Sequence, residues 1–175
     1  GLVKTCLGPR GMDKMLVDTI GDATITNDGA TILKEMDVEH PAAKMMVEIA
    51  KSVDNEVGDG TTSSVVFTGA LLEKAEDLIN KQVHPSVIVD GYDAASQQAL
   101  KLLQKISVKV DVEDKELLKK IARTSMYSKL VSEDSPVLGQ IAVDATRQVA
   151  EKVDDGSLRV DLDNIKVEKK AGGSI

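Results

Sequence analysis

The sequence predicts a mainly α, multi-helical fold with one β-hairpin near its start and part of a small α/β domain at its end. Three observations carry that expectation. From residue 41 to residue 106, apolar side chains recur at steps of three and four, the period of helices with one face in a core. Before them, two β-rich segments flank Gly21-Asp22, a hairpin pattern. Between Ser107 and Asp114 the helical period stops, and two further helical stretches and an alternating segment follow.

The strands are expected at Lys14–Asp18 and Ala23–Asn27. A two-stranded hairpin is marginal alone, so it is expected to pair with more of this chain or with a neighbour. A short helix is expected over Thr31–Asp37. His40-Pro41 opens a longer one, with Pro at the first helical position. Its apolar stripe is Ala42, Met45, Met46, Ile49, Val53 and Val57, and Gly58-Asp59-Gly60 ends it. The next helix spans about Thr61 to Asn80, with Phe67, Leu71, Ala75 and Leu78 as its buried stripe. His84-Pro85 starts a fourth, whose stripe holds Ile88, Tyr92, Ala95, Ala99, Leu102, Leu103 and Ile106. Val108–Val112 alternates but is short. Helices are then expected over Lys115–Ser125 and Pro136–Val153, a strand over Leu158–Val167, and a loop over Ala171–Ile175.

Composition excludes several functions. The chain has 175 residues, 42% hydrophobic and 29% charged, enough for a packed core. Its net charge of -7 opposes docking on nucleic acid or anionic membranes. Aromatic residues are only 2%, too few for a stacking platform for single strands. No apolar run approaches the ~20 residues of a membrane span. The single cysteine, Cys6, excludes an internal disulfide and suits a reducing, cytoplasmic compartment. His40 and His84 have no second His or Cys at ligand spacing, so no zinc site is expected.

Three motifs could carry chemistry. Gly58-Asp59-Gly60-Thr61-Thr62-Ser63-Ser64 lies between two helices and opens the second. Unpaired amides in a first helical turn, glycines that let an anion approach, and hydroxyl donors together make a phosphate cradle. Asp59 beside it makes sense if Mg²⁺ lies between carboxylate and phosphate. The same residues also read as an ordinary turn and helix cap. Asn27-Asp28-Gly29-Ala30-Thr31 is a strand end, turn and helix start, where Asp28 either orients an attacking water or caps the helix. Leu7-Gly8-Pro9-Arg10-Gly11 is a rigid exposed loop that touches phosphates or simply turns the chain. It lacks the Lys-Ser/Thr of a Walker A loop.

Taken in order, these motifs are more specific than any one. Leu7-Gly8-Pro9-Arg10-Gly11-Met12-Asp13-Lys14-Met15-Leu16-Val17-Asp18 resembles a signature of the group II chaperonins, the archaeal thermosome and the eukaryotic cytosolic chaperonin. Asn27-Asp28-Gly29-Ala30-Thr31-Ile32-Leu33, His40-Pro41-Ala42-Ala43-Lys44 and Gly58-Asp59-Gly60-Thr61-Thr62 follow in the family's order. Val83-His84-Pro85, Gly91-Tyr92, Thr124-Ser125-Met126 and Val160–Ile165 extend the resemblance over essentially the whole chain.

The resemblance implies that Leu7, Gly8 and Pro9, with Gly29, Gly58, Gly60, Thr61, Thr62 and Ser63, wrap the phosphates of ATP or ADP. It implies that Asp59 binds Mg²⁺ and that Asp28 positions or activates the hydrolytic water. Lys129 matches a lysine that senses the γ-phosphate; as a solvated loop lysine it needs no such role. The hairpin matches a stem loop that pairs with a neighbouring subunit of a homo- or hetero-oligomeric double ring. A full subunit would begin before Gly1 and continue into an apical domain that binds unfolded client proteins. A returning half would supply a second catalytic carboxylate and most adenine contacts. The chain is therefore expected to be a fragment: residues 1–112 the first half of an equatorial ATP-binding domain, residues 113–175 the first limb of an intermediate domain. The alternative is a catalytically inert helical module that acts only by association with other chaperonin segments, through apolar faces its missing partners leave bare.

Overall fold

The computed structural model describes residues 2–36, 38–154, 158–168 and 170–172. Among them are six α-helices and two antiparallel two-stranded sheets, the mainly α class expected. The chain divides into two compact units, Gly1–Lys109 and Val110–Ile175.

The first unit opens with a 3-10 turn, Leu2–Cys6, and then a hairpin. Strand β1 (Lys14–Val17) pairs with β2 (Ala23–Thr26), Lys14 opposite Thr26 and Val17 opposite Ala23. The connection is organised by one side chain. Asp18 Oδ1 accepts the amides of Ile20 (2.9 Å) and Asp22 (2.8 Å), an Asx-type turn. Gly21 takes the left-handed conformation there, φ 95°.

Helix α1 runs Gly29–Glu35, two residues ahead of the expected start, because the Asp28 carboxylate caps it. Its expected end at Asp37 lies outside the described residues. Helix α2 (Pro41–Val57) starts on Pro41, with His40 Nδ1 accepting Ala42 N at 3.2 Å. It ends at Gly58, φ 70°, whose amide bonds back to Asp54 O. Helix α3 (Thr61–Asn80) has the bounds read from sequence. Helix α4 (Pro85–Ile106) is tied to α3 where Tyr92 OH donates to Leu71 O at 2.6 Å.

The core of this unit is Val3, Cys6, Ala30, Ile32, Ala50 and Val65, with Leu16, Leu33, Met36, Met46 and Val66 against it. It joins the 3-10 turn, β1, α1, α2 and α3. The faces differ from those expected. On α2, Ala50 and Met46 turn inward, while Ala42, Met45, Ile49 and Val57 are exposed. On α3, Leu71, Ala75 and Leu78 of the expected stripe are half-buried, but Phe67 is 67% exposed and Val65 is buried in its stead. On α4, Ile88 is buried and Tyr92 half-buried, but Ala95, Ala99, Leu102, Leu103 and Ile106 are exposed. The cause is geometric: these apolar arcs are wider than the strip each helix lays on its neighbours.

In the second unit, α5 (Lys115–Met126) is capped by Asp114 Oδ1, which accepts Leu117 N at 3.0 Å. Helix α6 (Ser135–Gln148) packs along it with Ser135, Gly139 and Val143 buried at steps of four. A Cβ at Gly139 would stand 3.0 Å from Arg123 Cγ, so a glycine permits this approach. Arg147 donates to Val112 O and, at 2.7 Å, to Glu113 Oε2.

Here the structure departs from the sequence expectation in two places. The helix expected to reach Val153 stops at Gln148, and β3 (Ala150–Lys152) follows, antiparallel to β4 (Leu158–Val160). The strand expected over Leu158–Val167 ends at Val160 and gives way to a 3-10 turn, Leu162–Asn164, capped by Asp161. Val108–Val112 forms no strand. Of the expected terminal loop, Ala171 and Gly172 lie in a bend and residues 173–175 are outside the described set.

Ile32 is fully buried at the centre of the first core. Ile32→Ala should cost about 2–5 kcal/mol. Urea unfolding followed by far-UV circular dichroism should show an earlier helical transition; an unmoved midpoint would contradict this packing.

Candidate functional site

The N-termini of α1 and α3 meet. Gly29 N donates to Thr62 Oγ1 at 3.0 Å, and Thr61 Oγ1 donates to Asp28 Oδ1 at 3.2 Å. Each bond spans 33 residues of sequence. Thr61 and Thr62 are buried, 3% and 7% exposed, as is the neighbouring Asn27 at 7%. Asp28 is held from its own side too. Its Oδ2 accepts Thr31 N at 2.9 Å and Thr31 Oγ1 at 3.0 Å, and its amide donates to Thr26 Oγ1 at 3.1 Å. Close approach demands glycine at residue 29, since an added Cβ would lie 2.6 Å from Thr62 Oγ1 and 2.8 Å from Thr62 Cα.

Helix α3 begins differently from its neighbours. Side chains cap α1, α2 and α4 in the same unit, and α5 in the other, where α6 makes no side-chain cap bond. The N-cap of α3 is Gly60, left-handed at φ 77°, and it makes no side-chain cap bond. The first helical hydrogen bond is Ser64 N to Gly60 O at 2.9 Å, so the amides of Thr61, Thr62 and Ser63 precede the ladder. Asp59 does not serve as the cap: its Oδ1 accepts the adjacent Gly60 amide at 2.7 Å, and the residue is exposed. A turn of amides at the positive end of a 20-residue helix is thus presented beside an exposed carboxylate.

That donor set fits a phosphate with Mg²⁺. Magnesium is commonly held by one or two carboxylates plus phosphate oxygens, not by a protein cage. Among the described residues no group of three or more His, Cys, Asp or Glu side chains converges. Thr61 Oγ1 donates its hydrogen to Asp28, and Thr62 Oγ1 accepts from Gly29, both within the fold. The Thr61 hydroxyl hydrogen is thereby committed, whereas Thr62, an acceptor in its bond, retains its own hydrogen as a donor.

Asp28, Gly29, Gly60, Thr61, Thr62 and Ser63 are therefore brought to one junction, with Gly58 and Asp59 on the preceding turn. Leu7, Gly8 and Pro9 follow the 3-10 turn that packs in the same core. Their loop is closed by Gly11 N to Gly8 O (2.9 Å) and Met12 N to Thr5 O (2.8 Å), with Gly8 at φ 87°. Lys129 belongs to the second unit, in the α5–α6 connection, half-buried, its amide donating to Met126 O. Sequence reasoning missed Thr31. The available signal was its place three residues after a capping Asp, where an amide and a hydroxyl both face the cap carboxylate.

The pattern for the TCP-1/cpn60 chaperonin family matches residues 1–175. The chain is 59% identical to thermosome subunit beta of Thermococcus kodakarensis, over 99% of this chain and 32% of that protein. It is 57% identical to thermosome subunit alpha of Archaeoglobus fulgidus, over 99% of this chain and 32% of that one. It is 56% identical to a thermosome subunit of Pyrococcus horikoshii, over 99% and 31%. The chain thus spans about a third of the length of the curated relatives it matches. No helix among the described residues is long and apolar enough to cross a membrane.

Gly29→Ala should force α1 and α3 apart, destabilising the first unit by about 1–3 kcal/mol. Thermal melts check this: a melting temperature equal to that of the unaltered chain would deny the close approach.

Proposed function

The chain belongs to the TCP-1/cpn60 chaperonin family, and from that premise we propose that it carries the phosphate-holding half of an ATP-driven protein-folding subunit. The observation that carries the reading is the start of α3: amides without a side-chain cap, beside exposed Asp59 and anchored Asp28. The amides of Thr61, Thr62 and Ser63 bind the polyphosphate, Gly58 and Gly60 keep bulk away from it, and Gly29 contributes to the site by letting the two helix starts close. The loop of Leu7, Gly8 and Pro9 closes over the phosphates from the other side. Asp59 holds Mg²⁺, which when bound neutralises phosphate charge and fixes the geometry of ATP and ADP.

Asp28 orients the attacking water and accepts its proton at a carboxylate oxygen. The water oxygen bonds to the γ-phosphorus as that atom's bond to the β,γ-bridging oxygen breaks, and ADP leaves with the bridging oxygen. Fixed amides and carboxylates need little rearrangement as charge shifts, which is where such sites gain rate. Lys129 reports the presence of the γ-phosphate to the rest of the subunit. Residues 1–112 form the first half of an equatorial domain and 113–175 the first limb of an intermediate domain. The whole subunit works in the cytoplasm, in a homo- or hetero-oligomeric double ring. There it closes a chamber on unfolded proteins held by an apical domain.

A second reading also has an observation behind it. Leu100, Leu102, Leu103 and Ile106 on α4 are 56–64% exposed. An apolar face of that kind favours association. On this reading the chain is catalytically inert alone and acts only by joining other chaperonin segments.

Two measurements test the readings. In a complete subunit carrying this segment, Asp59→Ala should reduce Mg²⁺-dependent ATP turnover to background; undiminished turnover would refute the metal assignment. Calorimetric titration of the 175-residue chain with MgATP should give weak or no binding if the pocket needs the returning half. Micromolar binding would show the pocket to be self-sufficient and remove the inert reading.

A further inference from the structure

We infer that Thr31 is a positioning residue for Asp28, setting the plane of the carboxylate for the water it activates. The inference rests on the role proposed above for Asp28. Three threonines from three places hold this one aspartate. Thr26, at the end of β2, accepts its amide; Thr61, at the start of α3, donates to Oδ1; Thr31, in the first turn of α1, gives both its amide and its hydroxyl to Oδ2. Capping α1 requires only the amide. Asp114 caps α5 by accepting Leu117 N and takes no hydroxyl among the described residues. The Thr31 hydroxyl is thus additional to what the helix needs.

Its consequence is directional. A carboxylate capped by one amide can turn about its terminal torsion, which is broad and weakly restrained. At Asp28 the two donors on Oδ2, one main chain and one side chain, add to the Thr61 hydroxyl on Oδ1 in restricting that freedom. Oδ1 is then kept on the α3 side, against Thr61 Oγ1, next to the amides that present the phosphate. The proton leaving water passes to this fixed carboxylate. Misorientation of a base slows proton transfer without weakening phosphate binding, because Thr31 donates to Asp28 and not to the phosphate turn.

The test uses a complete subunit carrying this segment, with Thr31→Val, Thr31→Ser and Asp28→Asn compared. Thr31→Val keeps the shape and the amide but loses the hydroxyl. It should lower kcat roughly tenfold, a fraction of the ~10²–10⁴ available to a positioned base. KM should stay within about twofold. MgADP affinity by calorimetry should be unchanged, and amide exchange at residue 31 in the nucleotide-free protein should stay slow, showing the cap intact. Thr31→Ser should recover most of kcat, and Thr31→Val should add nothing on top of Asp28→Asn. Wild-type kcat in Thr31→Val, a loss confined to KM, or failure of Thr31→Ser to recover would each overturn the inference. If Asp28→Asn abolishes turnover and Thr31→Val does not alter it, only the inference falls. If Asp28→Asn itself turns over normally, the reading of the site falls with it.

Discussion

The structure of the first unit depends on two helix starts being held side by side. Each carries the positive end of a helix dipole, and like ends repel unless negative charge lies between them. Asp28 supplies that charge. Its carboxylate caps α1 through Thr31 and receives the hydroxyl of Thr61 from α3. Gly29 then lets the backbones close until its amide reaches Thr62 Oγ1. Behind the junction, Ala30 and Ile32 of α1 meet Val65 of α3 in the buried core. Apolar packing and the polar junction therefore fix the same helix pair from opposite sides.

Most of the element order was legible, and for local reasons. Helix α3 reads from Thr61 to Asn80 because glycines break the chain just before it. His40-Pro41 and His84-Pro85 mark α2 and α4, and the structure shows both histidines accepting a first-turn amide through Nδ1. What could not be read was which side of each helix would be covered. Periodicity locates an arc but not the neighbour that lies on it. Phe67 continues the period of α3, yet Val65 is the side chain of α3 buried in the core that holds Ala30 and Ile32 of α1. The end of α6 failed for another cause. Val149-Ala150 continues a helical pattern, while β3 is set by pairing with Leu158–Val160, a contact no local window contains.

The candidate site was legible as a set of residues and not as an arrangement. The Gly-Asp-Gly-Thr-Thr-Ser run announced a helix start suited to an anion, but equally a capped turn. The structure adds a comparison within one chain. Asp28, His40, His84 and Asp114 cap their helices, Asp134 at α6 makes no side-chain cap bond, and at α3 the cap position is a left-handed glycine. Asp59 spends one oxygen on its neighbour's amide instead. Thr31 stayed invisible because its significance lies in a partner already explained as a cap.

The junction also separates two tasks that the sequence assigns to the same letters. Thr61 and Thr62 turn their hydroxyls inward and are buried by doing so. Their amides, which no substitution short of proline removes, lie ahead of the hydrogen-bond ladder at the helix start. Replacing either hydroxyl therefore loosens the contact between α1 and α3 before it touches the amide turn. Side chains at residues 61 and 62 set where the turn stands, and the backbone sets what it can hold. Asp28 accepts from the first residue of α3 while it caps α1, so one carboxylate fixes how the two helix starts sit together.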